Sequence, residues 1–130
     1  MGYTVGNFII SIKNAGMARR KELFLPYSNI AWAIGNCLVR NKFLENILEE
    51  KKENRRILHI FLSYKKREPV VADVRIVSKP SLRIYETTSE IARRQIKGAL
   101  TAIVSTNKGI KTSQEVKKES LGGEVLFEIW

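Results

Sequence analysis

The chain predicts an α+β fold of two small lobes: an α/β N-terminal lobe with a three-stranded sheet over residues 1–78, and a mostly β C-terminal lobe over 79–130. Three observations carry that expectation. Two stretches with apolar residues at three- and four-residue steps stand in the first 41 positions, strand-length apolar runs follow, and Lys79-Pro80 breaks the pattern between the halves. With 130 residues and 44% hydrophobic content, the chain has the size and apolar fraction of a folded protein rather than a disordered one.

Each element follows from local spacing. Val5, Phe8, Ile9 and Ile12 predict a short amphipathic helix that ends near Gly16, with Lys13 and Asn14 in its polar last turn. Arg19-Arg20-Lys21 reads as a solvated loop, and Leu23-Phe24-Leu25 as a short strand stopped by Pro26. Ser28 is a good N-cap for a helix over 29–41, whose Ile30, Ala31, Ile34 and Leu38 share one side. Strands are expected over 44–51, 56–64 and 70–78, the last with Val70, Ala72, Val74 and Ile76 alternating, as a meander joined by the turns Glu53-Asn54 and Lys65-Lys66-Arg67-Glu68-Pro69.

Beyond Lys79-Pro80-Ser81, a short strand over 82–85 leads to a brief helix capped by Thr88 or Ser89 and running through Ile91 and Ile96. A strand over 99–104, the turn Ser105-Thr106-Asn107-Lys108-Gly109, a polar helix over 113–119 and a closing strand over 124–130 complete the chain.

Lys and Arg number 23 against 13 Asp and Glu, a formal net charge of +10, which makes nucleic acid the leading partner. Residues 1–67 hold 13 cations and 5 anions, net +8, and residues 68–130 hold 10 and 8, net +2. The first half therefore supplies most of the attraction, while the polar motifs lie in the second. Arg19-Arg20-Lys21, Lys51-Lys52, Arg55-Arg56, Lys65-Lys66-Arg67 and Lys117-Lys118 are either solvated turns or contacts to an RNA backbone.

Catalysis and cofactors find little footing. His59 is the only histidine and Cys37 the only cysteine, so no histidine triad, zinc set or intramolecular disulfide is expected. Ile34 and Leu38 place Cys37 on an apolar helix side as an inert buried thiol. Lys108-Gly109 lacks the spacing of a phosphate loop, and Glu115, Glu119 and Glu124 do not form a metal-site pattern. No apolar run reaches membrane-spanning length and Met1-Gly2-Tyr3-Thr4 lacks a signal-peptide layout, so a soluble intracellular protein is expected, without membrane, small-molecule substrate, metal or cofactor.

The residues that suit RNA are small and polar. Ser105, Thr106, Asn107 and Lys108 combine donors, acceptors and a point charge, with Gly109 granting backbone freedom. Gly122 and Gly123 read either as a turn that needs positive φ or as part of the site. Glu124 either orients a nearby lysine or accepts from a base amino group or a ribose 2′-OH. Tyr85, near Arg83, either stacks on a nucleotide or packs against the protein.

Three motifs then carry a family resemblance: Lys79-Pro80-Ser81-Leu82-Arg83-Ile84-Tyr85, Ile103-Val104-Ser105-Thr106-Asn107-Lys108-Gly109 and Leu121-Gly122-Gly123-Glu124-Val125. In this order and spacing, with Ile12-Lys13-Asn14-Ala15 and the helix after Pro26-Tyr27-Ser28, the chain resembles the eighth protein of the small ribosomal subunit over essentially its whole length. The resemblance implies a two-domain, non-enzymatic protein that binds the central domain of small-subunit ribosomal RNA early in assembly, beside neighbouring ribosomal proteins in a cytoplasmic or organellar ribosome. It assigns RNA contact to Ser105–Lys108, with Asn107 in place of a usual serine, and to Gly122, Gly123 and Glu124. Contacts from both halves add Arg83, Tyr85, Lys13, Asn14, Arg55 and Arg56. Members that also bind their own messenger RNA leave a free regulatory RNA-binding protein as the alternative. Departures from the family pattern are Lys79, Ser81 and Leu100, the last two at usual glycine positions, and Tyr3-Thr4 and Asn7 where the first helix is usually acidic at its start.

Overall fold

Val5, Phe8, Ile9 and Ile12 fall on one side of helix α1 (Thr4–Met17), and all four are buried. Helix α2 (Asn29–Arg40) starts where expected, since the Ser28 hydroxyl accepts from the Ala31 amide at 3.1 Å and so satisfies a donor that the helix cannot. Its Ile34, Cys37 and Leu38 are fully buried. Three strands complete this part of the chain: β1 (Glu22–Pro26), β2 (Leu44–Lys52) and β3 (Arg55–Leu62), antiparallel in the order β1-β3-β2. Leu58, Ile60 and Leu62 of β3 are buried, and each fully buried side chain of this kind contributes roughly 1.5–3 kcal/mol. A two-residue hairpin, β4 (Tyr64–Lys65) and β5 (Glu68–Pro69), follows.

The structure is a computed structural model and describes residues 4–95 and 100–130. These residues divide into two units, Met1–Ala72 and Asp73–Trp130. The three-stranded sheet is present, but its third strand is β1 and not the stretch 70–78. Of that stretch only β6 (Val74–Ile76) is a strand, and it pairs antiparallel with the closing strand, Phe127 opposite Ile76 and Ile129 opposite Val74. The boundary between these two compact units is Ala72–Asp73. Alternation of Val70 to Ile76 specifies a strand but not its partner, which explains the difference.

In the second unit, β7 (Tyr85–Glu86), α3 (Thr88–Gln95), β8 (Thr101–Thr106), β9 (Gly109–Thr112), α4 (Ser113–Glu119) and β10 (Gly123–Ile129) follow. β10 is the hub: β6, β7 and β8 all pair with it, and β9 adds to the far side of β8. Ile91, Ala102, Val104, Val116 and Val125 form the core, with Val77 and Leu121 packed against it. The polar helix α4 begins with a capping box, Thr112 Oγ1 accepting from the Glu115 amide and the Glu115 carboxylate from the Thr112 amide. The turn expected at Lys79-Pro80-Ser81 is tight, Lys79 and Leu82 exchanging backbone hydrogen bonds of 2.9 Å, and of the strand expected over 82–85 only Tyr85 lies in a strand, β7, paired with β10. β9 is a strand that the residue pattern does not announce. Ile96 and Ala99, expected at a helix end and a strand start, lie outside the described residues, as does Tyr3.

Candidate nucleic-acid interface

Antiparallel register brings the C-terminal motifs together. Glu124 of β10 stands opposite Ser105 of β8 on one side and Tyr85 of β7 on the other, and Ser105 stands opposite Ile110 of β9. Directly opposed residues share a face of the sheet. Ser105, Glu124 and Tyr85 therefore form one row across three strands, although 20 positions separate Tyr85 from Ser105 in the chain. Tyr85 is 70% exposed, so of its two readings the packed one is not what the fold uses.

The row ends in a two-residue hairpin. Thr106 Oγ1 donates to the Gly109 carbonyl at 2.8 Å and accepts from the Lys108 amide at 3.1 Å, which holds the tip. Gly109 has φ +106°, a conformation that side chains with a Cβ resist. Asn107 and Lys108 project from the tip, both exposed. Among the described residues none partners the Ser105 hydroxyl, the Asn107 amide or the Lys108 ammonium.

Gly122 and Gly123 do not have positive φ; among described glycines only Gly109 does. They are needed for close approach. A Cβ on Gly123 would stand 2.2 Å from the Ser105 carbonyl oxygen, and one on Gly122 2.8 Å from that of Glu86. The double glycine thus seats the start of β10 between β7 and β8. Glu124 does orient a cation, but the cation is Arg83 rather than a lysine, its Nη1 donating to Glu124 Oε2 at 3.2 Å. Ser81 is not among the positive-φ residues, so the turn before Arg83 does not require the glycine usual there.

Ser78 belongs to none of the sequence motifs, and it fixes this arrangement. Fully buried, its hydroxyl donates to the Val125 carbonyl at 2.7 Å and accepts from the Ile84 amide at 2.9 Å, tying the 79–84 turn to β10. Its place in the apolar alternation of 70–78 is the one signal the sequence offers, since a hydroxyl at a core position needs partners. Glu128 is a second residue that spacing does not single out. Buried in β10, it pairs with Arg75 at 2.6 Å and with Arg94 at 2.9 Å, while Arg94 also meets Glu86 at 2.5 Å. Hydrogen bonding to Glu86 is the largest cause that holds the Arg94 pKa above its ordinary value, with burial opposing and Glu128 adding to the rise. A carboxylate inside an apolar strand is the sign of such a network.

The remaining expected site residues belong to the first unit. Lys13 is half-buried and Asn14 exposed on α1. Arg55 and Arg56 open β3, both exposed. Arg56 is engaged by the protein: its Nε donates to Glu49 at 2.5 Å and its guanidinium lies 3.8 Å over the Tyr27 ring. Arg55 has no side-chain partner among the described residues.

His59 lies in β3. Its ring stacks on Phe24 and against Phe61, both with centroids at 4.2 Å, and its nitrogens meet Glu50 at 2.7 Å and Glu22 at 3.0 Å. Among the described residues no group of His, Cys, Asp and Glu is arranged to hold a metal ion. No described helix is long and apolar enough to cross a membrane.

Comparison with known proteins places this geometry in a family context. The model of the family described as Ribosomal protein S8 matches residues 3–130. The small ribosomal subunit protein uS8 of Trichormus variabilis is 37% identical over 129 residues, covering 98% of this chain and 96% of that protein. The small ribosomal subunit protein uS8c of Physcomitrium patens is 36% identical over 129 residues, covering 98% and 97%. The uS8 protein of Streptococcus agalactiae is 35% identical over 127 residues, covering 97% and 96%.

Proposed function

The chain belongs to the ribosomal protein S8 family, and from that membership we infer that it is a structural, non-enzymatic constituent of the small ribosomal subunit that binds its ribosomal RNA and lies among neighbouring ribosomal proteins. We propose further that it binds the central domain of that RNA directly and helps it to order during assembly. The observation that carries the finer reading is the row Ser105–Glu124–Tyr85 beside the Asn107-Lys108 tip. It combines unpartnered donors and acceptors, a fixed Arg83–Glu124 pair, an exposed ring and a cation on one sheet.

That set matches RNA chemistry. A-form helices hide their major-groove edges, so a protein reads shape, 2′-hydroxyls and unstacked bases. Ser105, Asn107 and Glu124 suit sugar and base edges, Tyr85 offers a stacking face, Lys108 neutralises phosphate, and Arg83 orients Glu124. Lys13, Asn14 and Arg55 add backbone contacts from the first unit, and Arg56 acts there by bracing Tyr27.

The test is binding of the purified protein to a central-domain fragment and to a scrambled RNA of equal length. Wild type prefers the fragment, and Ser105→Ala with Asn107→Ala lowers that preference by roughly 1–3 kcal/mol. Retained preference in the double variant removes the row from the site. Failure to sediment with small subunits, with RNA preference intact, favours the free regulatory alternative.

A further inference from the structure

The fold joins two basic loops that the sequence keeps 44 positions apart. Arg19-Arg20-Lys21 follows α1, and Lys65-Lys66-Arg67 spans the β4–β5 hairpin. The Arg19 guanidinium donates to the Arg67 carbonyl and pairs with Glu68 at 3.4 Å. Tyr64 Oη donates to the Arg20 carbonyl at 2.5 Å, and the Leu62 amide donates to the Lys21 carbonyl at 2.9 Å. All six cations are exposed. Except for Arg19, none has a side-chain partner among the described residues.

The hairpin holds its cations against local preference. Lys66 and Arg67 sit at φ 53° and 68°, between the paired residues Lys65 and Glu68. Two central residues at positive φ define a type I′ turn, for which Asn-Gly is the relaxed choice. The β2–β3 hairpin, with the same geometry at Glu53 and Asn54, does use an asparagine. Arg19, at φ 56°, adds a third strained basic residue to the cluster. Strain held at an exposed cluster of one charge sign points to binding.

We propose that this cluster is a second RNA-contact site that takes phosphodiester backbone without reading bases. The inference rests on the ribosomal reading above and extends it to a surface that reading does not use. Phosphate is favoured over an acidic protein face because half of the cluster's cations are lysines, point charges on flexible stems, and lysine is depleted where proteins meet proteins.

Lys66→Asn with Arg67→Gly tests it, because the exchange relaxes the turn while removing two cations. The variant melts no lower than wild type, yet binds the central-domain fragment on the order of tenfold more weakly at low salt. The slope of log K against log salt flattens by about 0.7–0.9 for each phosphate that is no longer neutralised. Preference for the fragment over scrambled RNA is kept. Arg20→Ala with Lys21→Ala, from the other loop, acts in the same direction. Unchanged affinity and slope in both variants overturn the proposal. So does unchanged RNA binding with failed incorporation into subunits, which makes the cluster a docking point for an acidic protein. A wild-type protein without preference for the fragment sinks the ribosomal site reading instead, and the variants' salt slopes still decide whether these loops meet phosphate.

Discussion

Two glycines of the candidate interface differ in why they are glycines, and the difference is measurable. Gly123 lies against backbone, where an added methyl would meet the Ser105 carbonyl oxygen at 2.2 Å, so Gly123→Ala must push β8 and β10 apart. The expected loss is about 2–3 kcal/mol in a denaturant titration, with a fall in RNA preference. Gly109 has open space around a Cβ but a φ of +106°. Its replacement by Ala strains only the turn, at roughly 1–2 kcal/mol. His59 offers a pH test: burial lowers its pKa, but the bonds to Glu50 and Glu22 outweigh burial and hold it above 6.5. Protonated His59 is therefore favoured in the folded state, and its contribution is fully present below the unfolded value and lost as pH rises through the folded one. Urea titrations of wild type and His59→Gln should show a larger gap at about pH 5.5 than at about pH 8.5. A gap independent of pH would leave the ring's stacking as its whole role.

Among the elements, β10 organises the second unit, and its partners are set by groups distant in the chain. Ser78→Ala removes one hydroxyl that serves both Val125 and Ile84. The orphaned amide and carbonyl should destabilise the protein by roughly 1–3 kcal/mol. Because the same bonds hold the turn before Arg83 and Tyr85, RNA preference should fall as well. Ser78→Thr, which keeps the hydroxyl, should recover part of both. Equal RNA preference in Ser78→Ala would show that the turn keeps its place without this bond. The element pattern is largely readable from sequence: α2 and α4 begin at or beside polar caps, and β3, β8 and β10 are apolar runs. β9 escapes because Gly109-Ile110-Lys111-Thr112 is too short and polar to signal a strand without β8 beside it.

Across the whole molecule, charge and chemistry are divided. Unit Met1–Ala72 holds 13 Lys and Arg against 6 Asp and Glu, net +7, and Asp73–Trp130 holds 10 against 7, net +3. Removing an unpartnered cation from the first unit, as in Arg55→Ala, should weaken all RNAs alike and flatten the salt slope by somewhat under one. Arg56→Ala should instead lower stability through Glu49 and Tyr27. Binding at two salt concentrations, set beside melting curves, separates the two. Identical behaviour of the two variants would mean that the Tyr27 stack does not restrain Arg56. Cys37→Ala, deep in the core, should change stability and leave RNA preference intact.

By itself the sequence determined the two-lobed α+β class, the basic character, the helix capped by Ser28 and the small polar motifs, because these depend on composition and on contacts within a few residues; the cap of α3 is Thr87, whose hydroxyl accepts from the Glu90 amide, and not Thr88 or Ser89. The tertiary structure alone decided which strand joins which. Alternation of Val74 and Ile76 reads equally well in either sheet, and only pairing with Phe127 and Ile129 assigns it. The row from Ser105 through Glu124 to Tyr85, the Arg83 partner of Glu124, the close approach at Gly123 and the joining of two basic loops all depend on that pairing and packing. Such contacts join positions tens of residues apart, and local spacing carries no record of them.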